Sequence, residues 1–226
     1  MKKLPVFETF YSWQGEGCHT GKSAFFIRLF GCPVHCPWCD SAGTWHPDHI
    51  PEIIEKRSVE TLVAEAIKEN PEIVVITGGE PAIHDLTQLT AALRQVGQSV
   101  HLETSGAFPI RGTFDWITVS PKVWKEPIES CITQADEFKL IVDSTDAVRL
   151  WESKIGQQFN DRPVWLHPEW SLRGEADILQ IINTSVKKQT NRYRAGYQLH
   201  KLYQVDQEDK RSKPTIELAP VSREYF

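Results

Sequence analysis

The stretch from Gly31 to Cys39, Gly-Cys-Pro-Val-His-Cys-Pro-Trp-Cys, carries three cysteines, Cys32, Cys36 and Cys39, in the spacing C-x3-C-x2-C. A loop this short brings three sulfur atoms within reach of one small group. Thiolates are soft ligands that select zinc, copper(I) or iron–sulfur clusters. Because no fourth cysteine or histidine directly completes the set, the triplet favours a cubane cluster that leaves one iron open.

A structural zinc site is the main alternative, and it requires four protein ligands in a closed tetrahedron. His35 lies between two of the cysteines and would have to bend back to act as a ligand. His19, His46 and His49 are the other candidates for a fourth ligand. The spacing favours the cluster over zinc but leaves both open.

Composition predicts one sizeable soluble domain, since the chain has 226 residues, of which 40% are hydrophobic and 24% charged. The net charge of -5 argues against direct binding to nucleic acid, which normally needs a basic surface. No apolar run is long enough for a membrane span and the first residues lack a signal-peptide core, so we expect no membrane partner and a cytoplasmic location. Cys18 and Cys131 stand apart from the triplet, and we expect them to be small buried or half-buried residues.

Strands and helices alternate along the chain, which predicts a mostly parallel sheet with right-handed crossovers. Predicted strands cover residues 6–13, 23–29, 73–77, 100–103, 115–119, 137–142, 163–166 and 193–199; predicted helices begin at Ser58 and cover 85–96, 146–155 and 175–186. Polar or glycine-rich groups follow several strands, at Gly78, Thr104, Ser120 and His200, where parallel sheets bind ligands. The strands are too few for a complete eightfold barrel, so we expect an α/β fold with a partial (β/α) barrel.

The domain prediction assigns residues 1–205 to one catalytic domain. From about Gln207 onward the sequence is charged and lacks periodicity. This pattern predicts a C-terminal tail over residues 206–226, which is a candidate for disorder.

The cysteine triplet, with the aromatic Trp38 before its last cysteine, resembles the signature of the radical S-adenosylmethionine (SAM) enzymes. In that family three thiolates hold a 4Fe–4S cluster whose open iron binds SAM. A second motif, Gly78-Gly79-Glu80-Pro81, matches the family's Gly-Gly-Glu-Pro, which binds the methionine amino group. The resemblance therefore implies a 4Fe–4S cluster, SAM as a cofactor, and an external electron donor such as flavodoxin or ferredoxin.

A narrower resemblance covers most of the chain and points to the 7-carboxy-7-deazaguanine synthase family. The motifs that carry it occur in order at residues 14–17, 26–29, 39–41, 44–45, 103–106, 120–122 and 200–201. The family implies ring contraction of 6-carboxy-5,6,7,8-tetrahydropterin with loss of ammonia, in queuosine and deazapurine biosynthesis, by a homodimeric lyase. Radical activases and a zinc module without catalysis are the alternatives.

The same resemblance implies the substrate site. Gln14, Gly15 and Glu16 would hold the pterin, with Glu16 accepting hydrogen bonds from the aminopyrimidine edge and Arg28 meeting the carboxylate. An internal ion pair between Glu16 and Arg28 is the alternative. His200 resembles the histidine of the family's Thr-His-Lys, although Leu199 stands in place of the threonine.

Further positions match the cofactor site of the family. Glu103, Thr104, Ser120 and Lys122 match residues that line SAM, and Thr104 is also assigned to the substrate site. Lys139 would either line the same site or extend to water.

The family also uses Mg²⁺, bound to the substrate and to a hydroxyl that is usually threonine and here is Ser41. Asp40 would support that ion without binding it directly, and a role as an N-cap or turn residue is the alternative. The chain continues for 25 residues past Lys201, whereas relatives end soon after it. A contact from the terminal carboxylate is therefore absent, or Asp206 replaces it.

Overall fold

The structure is a computed structural model that describes residues 2–188 and 192–203, and within them lie nine strands and six α-helices. The strands are β1 (Lys3–Trp13), β2 (Ser23–Leu29), β3 (Glu55–Ser58), β4 (Ile73–Gly78), β5 (Val100–Thr104), β6 (Trp116–Val119), β7 (Glu137–Val142), β8 (Val164–Pro168) and β9 (Tyr193–Ala195). The helices are α1 (Val59–Glu69), α2 (Thr87–Gln95), α3 (Glu129–Gln134), α4 (Ala147–Ile155), α5 (Ala176–Lys188) and α6 (Leu199–Leu202).

All nine strands form one sheet in the order β3-β1-β2-β4-β5-β6-β7-β8-β9. From β2 to β9 each neighbouring pair is parallel, whereas β1 is antiparallel to both β2 and β3. In the described part of the chain β3 and β9 are the two ends of this order, so the sheet stays open. The predicted α/β fold with a partial (β/α) barrel is confirmed.

The main hydrophobic core lies between the parallel strands and the helices. Side chains that alternate along the strands point into it, among them Ile27, Ile76, Leu102, Phe138 and Leu166, each almost fully buried. A second, smaller cluster of Ala24, Phe26, Ile73 and Val75, with Phe10, lies on the other face of β2 and β4. This explains why β2 is a nearly continuous apolar run, since both of its faces are covered.

Helix α1 begins where its sequence predicts. The side chain of Ser58 caps the helix by accepting a hydrogen bond from the backbone N–H of Thr61 (3.2 Å), and Leu62, Val63 and Ala66 form its buried face. No strand was predicted between residues 29 and 73, but Glu55–Ser58 form β3, which pairs with the start of β1. The charged sequence of β3 conceals this strand because it lies at the edge of the sheet and is largely exposed.

The last strand is shorter than predicted. The expected strand over 193–199 with His200 at its end is wrong, because β9 stops at Ala195 and His200 lies in α6. The pairing with β8 ends at the bond from Gly196 N–H to Leu166 O (2.9 Å). Pro168 lacks the N–H that the next rung of this parallel ladder needs, so the chain turns away.

Two expectations remain, one on the C-terminal tail and one on helices that could span a membrane. The predicted tail over residues 206–226, including Asp206, lies outside the described residues. Within those residues, none of the helices combines the length and the apolar character needed to cross a membrane.

Candidate active site

A cavity of about 620 Å³ opens where the central parallel strands end. All of the site residues predicted from the sequence line it: Gln14, Gly15, Glu16, Arg28, Cys32, Cys36, Trp38, Cys39, Ser41, Gly78, Gly79, Glu80, Glu103, Thr104, Ser120, Lys122 and His200. Since parallel strands present their carboxyl ends at one edge of a sheet, motifs that are far apart in sequence meet here.

Backbone hydrogen bonds fix both ends of the cysteine loop. Gly31 N–H donates to Thr44 O (3.0 Å), and Cys39 N–H donates to Cys36 O (3.2 Å). From the loop after β6, the indole N–H of Trp124 donates to the carbonyl of Val34 (2.7 Å), and its ring meets that of Trp38 edge to face at 5.1 Å. These contacts within the chain position the loop.

The two glycines after β4 allow the backbone to approach the cysteine loop closely. A Cβ on Gly78, whose φ is +150°, would lie 2.4 Å from Leu29 O, and one on Gly79 would lie 2.4 Å from Gly31 O. Through this approach Gly79 N–H donates to Leu29 O (3.1 Å) and Glu80 N–H to Gly31 O (2.8 Å). The motif thus fixes the cysteine loop against the end of β4, and its contact with a cofactor stays a prediction.

The carboxylate of Glu80 is the centre of a buried hydrogen-bond network. It accepts bonds from the backbone N–H groups of Ala82 (2.9 Å) and Ser105 (2.8 Å), from the Thr104 hydroxyl (2.6 Å) and from the Ser105 hydroxyl. Only 1% of Glu80 is exposed. Thr104 and Glu80 therefore join the ends of β4 and β5, whatever they contact in addition.

The three cysteines of the loop have the chemistry that a cluster needs. All three are free and half-buried, and all face the same cavity. Burial raises the pKa of Cys32 to about 11 and that of Cys39 to about 12, so without a metal the thiols stay protonated. In residues 2–188 and 192–203 no group of three or more His, Cys, Asp or Glu side chains is arranged to hold a single metal ion. Three free thiols that face one cavity are the ligand set that would hold a 4Fe–4S cluster, so the residues present fit that group.

Glu16 lies opposite the cysteine loop and forms a buried ion pair with Lys139 of β7. Burial is the largest single influence and would raise the pKa of Glu16, but the charge of Lys139, the basic groups of His167 and His200 and the hydrogen bond from Lys139 together outweigh it and lower the pKa to about 2. Gln14 holds the turn by accepting from Glu16 N–H (3.1 Å) and donating to Glu103 Oε1 (2.8 Å). The site therefore presents an ionised carboxylate on a fixed turn.

Arg28 pairs with a residue that the sequence did not indicate. Its Nε donates to Glu8 Oε1 of β1 (2.7 Å), and its Nη1 donates to Ser41 Oγ (2.6 Å). The proposed internal pair between Glu16 and Arg28 does not form, since each has another partner. These two bonds leave other guanidinium N–H donors available to a ligand.

His200 packs onto the turn that carries Glu16. A Cβ on Gly15 would lie 2.5 Å from His200 Nδ1, and Leu199 N–H donates to Gly15 O (3.3 Å). Glycine at this position therefore makes room for the imidazole.

The end of α6 is tied to the residue after the last cysteine, Asp40. The distance from Lys201 Nζ to Asp40 Oδ2 is 3.4 Å, and the side-chain amide of Gln198 donates to the same oxygen (3.1 Å). On the other side of the cavity, Lys122 Nζ donates to Ser120 O (2.5 Å) and Ser120 Oγ (2.9 Å). Residues of α6 and of the loop after β6 thus both line the cavity.

Several residues that build the site were not predicted from the sequence. Glu8 and Trp124 received no role, and Lys139, expected beside SAM or in water, is the partner of Glu16. A signal existed for Glu8, because it is a charge in an apolar strand, as Arg28 is. The register that brings them together depends on the β1–β2 pairing, in which Glu8 lies directly opposite Arg28.

Comparison with known proteins agrees with this geometry. The model of the radical SAM superfamily matches residues 26–132. A 7-carboxy-7-deazaguanine synthase from Synechocystis is 46% identical over 166 residues, which cover 74% of this chain and 78% of that protein. One from Flavobacterium psychrophilum is 35% identical over 204 residues, or 89% and 92% of the two chains. The chain belongs to the 7-carboxy-7-deazaguanine synthase family.

A solved structure extends this similarity to three dimensions. The crystal structure of QueE from Escherichia coli matches with a TM-score of 0.74 at 32% identity, covering 86% of this chain and 93% of that one. The superfamily match covers the cysteine loop, the Gly-Gly-Glu-Pro motif and residues 103–122. As a radical SAM protein, this member of the 7-carboxy-7-deazaguanine synthase family uses a 4Fe–4S cluster and SAM.

Proposed function

We propose that this chain catalyses the radical ring contraction of 6-carboxy-5,6,7,8-tetrahydropterin to 7-carboxy-7-deazaguanine, with loss of ammonia, in queuosine and deazapurine biosynthesis. One observation carries the proposal: the cysteine triplet shares a single cavity with a buried carboxylate, Glu16, and a guanidinium, Arg28. That pair of charges complements a ligand that has N–H donors at one end and a carboxylate at the other.

The cluster and SAM, when bound, supply a 5′-deoxyadenosyl radical that takes a hydrogen atom from the substrate. Cys32, Cys36 and Cys39 would hold the cluster, with Trp38 beside it. The residues Gly78, Gly79, Glu80, Glu103, Ser120 and Lys122 would line SAM. The fixed backbone of this half of the cavity gives the two bound groups one orientation.

The remaining residues would hold the substrate. Glu16, supported by Gln14 and Gly15, would accept the N–H groups of the aminopyrimidine edge, while Arg28 would bind the carboxylate. Thr104 and His200 would close the space between them. Because α6 lines the cavity, it would limit the access of water to the reacting atoms once the substrate is bound.

Magnesium belongs to the same proposal. Ser41 Oγ already accepts from Arg28 and donates to Asp40 Oδ1 (3.3 Å), so a cation there would have to share or displace these contacts. We expect the substrate carboxylate to bring Mg²⁺ to this hydroxyl. An electron donor such as flavodoxin or ferredoxin, a homodimeric assembly and a cytoplasmic location complete the proposal.

Anaerobic reconstitution with iron and sulfide tests the function directly. The expected result is a brown protein that consumes the carboxytetrahydropterin in the presence of SAM and a reductant. A colourless protein that carries one zinc would refute the enzyme altogether. A brown protein that cleaves SAM but leaves the pterin intact would point to another substrate, such as the glycine of a partner protein in a radical activase.

Replacement of one cysteine tests the cluster site. Cys36→Ala should abolish turnover and lower the iron content while the chain stays folded, because Cys36 lines the cavity and is not part of the hydrophobic core formed by the described residues. Circular dichroism and iron analysis measure these two effects separately. Full turnover in this variant would show that the triplet does not hold the cluster.

A further inference from the structure

The ion pair between Glu16 and Lys139 is more deeply buried than most ion pairs formed between the described residues. The side chain of Glu16 is 8% exposed and that of Lys139 is 15% exposed. A lysine is rarely removed from water to this extent unless its charge has a partner. Both side chains line the cavity, so the pair meets whatever ligand enters it.

Three basic groups surround the carboxylate of Glu16, and they come from three elements: Lys139 on β7, His167 on β8 and His200 on α6. His167 faces the same side of the sheet as Lys139, since Lys139 pairs with Trp165 and Ile141 pairs with His167. It is fully buried, and among the described residues neither of its ring nitrogens has a hydrogen-bond partner.

The backbone of Gly196 packs directly against this ring, because a Cβ there would lie 2.3 Å from His167 Nε2. Burial lowers the pKa of His167 to about 4, so its imidazole is neutral near pH 7. Lys139 is the cation in direct contact with Glu16, and its charge persists: burial opposes it, but Glu16 and then Glu103 raise its pKa.

We propose that Lys139 is a positioning residue that sets substrate specificity by holding Glu16 as an oriented carboxylate, so that the site accepts only a ligand edge with N–H donors. This inference rests on the proposed function and deepens it. A carboxylate can only accept hydrogen bonds, whereas a protonated carboxyl group also donates one. Without Lys139, the buried Glu16 would take up a proton. The site would then lose its preference for a 2-amino group over a 2-oxo group.

The test is steady-state kinetics of the reconstituted full chain, with the carboxytetrahydropterin and with its analogue that carries an oxo group at C2. Lys139→Met should raise KM for the amino compound by about 10- to 100-fold, the range expected for losing one charge-assisted contact, with kcat little changed. The preference for the amino compound should fall by at least about 10-fold. Lys139→Arg, which keeps the charge, should retain most of the low KM for the amino compound and most of the preference for it.

Two controls separate specificity from folding. Lys154→Met removes the lysine of α4 that forms an exposed ion pair with Glu126 (2.5 Å), and it should leave all parameters unchanged. In a Glu16→Gln background, Lys139→Met should raise KM no further, because Lys139 acts through Glu16.

The outcomes are distinct. Unchanged KM and preference in Lys139→Met would overturn the inference, and so would an equal loss of SAM cleavage measured without substrate, since the lysine would then serve the cofactor or the fold. If the unsubstituted protein cleaves SAM but never consumes the pterin, the proposed function fails and this inference fails with it.

Discussion

Gly79→Ala tests whether the cysteine loop depends on the close approach of the Gly-Gly-Glu-Pro backbone. The added Cβ would lie 2.4 Å from Gly31 O and 2.7 Å from the Cβ of Cys32. The carbonyl would have to move by about 1 Å to reach the 3.4 Å at which ordinary contact begins. The φ of Gly79 is not positive, so an alanine there would be destabilising because of the close contact and not because of the backbone conformation.

Two contributions set the loss in the free energy of unfolding that we expect for Gly79→Ala. Overpacking of this kind costs about 1–3 kcal/mol. Moving Gly31 also weakens the hydrogen bond that it accepts from Glu80 N–H, worth about 1 kcal/mol. We therefore expect the free energy of unfolding of the metal-free chain to fall by about 2–4 kcal/mol. Because the displaced atoms belong to the loop, iron retention should fall as well.

Urea unfolding and iron analysis after reconstitution measure these two effects. Gly174→Ala is the matched control, since no atom lies within 4 Å of a Cβ at that exposed position. It should change neither quantity. If Gly79→Ala behaved like Gly174→Ala in both measurements, the close approach would have no part in holding the cysteine loop.

Three further substitutions each test the contribution of one side chain. Trp124→Phe removes the hydrogen bond to Val34 O and should cost about 1 kcal/mol in urea unfolding, with faster loss of iron to a chelator; unchanged iron loss would contradict its role at the loop. Glu16 has a folded pKa of about 2, below its ordinary 4.5, so the stability that it contributes is present above pH 4.5 and is lost as the pH falls towards 2. Between pH 6 and pH 3 this amounts to about 2 kcal/mol, which should be missing from the pH dependence of Glu16→Gln in urea unfolding; an unaltered profile would refute it. Arg162 donates to the backbone carbonyls of several residues between α3 and β8, so Arg162→Lys should cost about 2–3 kcal/mol in urea unfolding yet leave the iron content of the folded protein unchanged.

The order of the elements and the composition of the site were predictable for a physical reason. Hydrophobic runs of strand length alternate with amphipathic segments, and this pattern permits few arrangements other than a parallel sheet. Once the sheet is parallel, polar groups after successive strands must meet at one edge. Gly78, Thr104 and Ser120 therefore line the same cavity as the cysteine loop, although they are far from it in sequence.

The partners within the site were not predictable from local sequence. Glu8 and Arg28 are 20 residues apart, and their contact depends on the register of two strands joined by a long turn. Glu16 and Lys139 are 123 residues apart and meet because the turn after β1 crosses over to β7. The early end of β9 depends on Pro168 in the neighbouring strand. In each case the decisive atom belongs to an element that no local pattern specifies.

The antiparallel strand β1 has a consequence for how this enzyme family can diversify. The chemistry of the radical is encoded between residues 26 and 132, where the superfamily match lies. Glu8, Glu16, Lys139 and His200, by contrast, come from the two flanks of that segment and reach the cavity from outside it. Part of the proposed substrate site therefore lies outside the segment that the superfamily shares, although Arg28 and Thr104 lie within it. The flanks can change to admit a new substrate while the segment that makes the radical stays as it is.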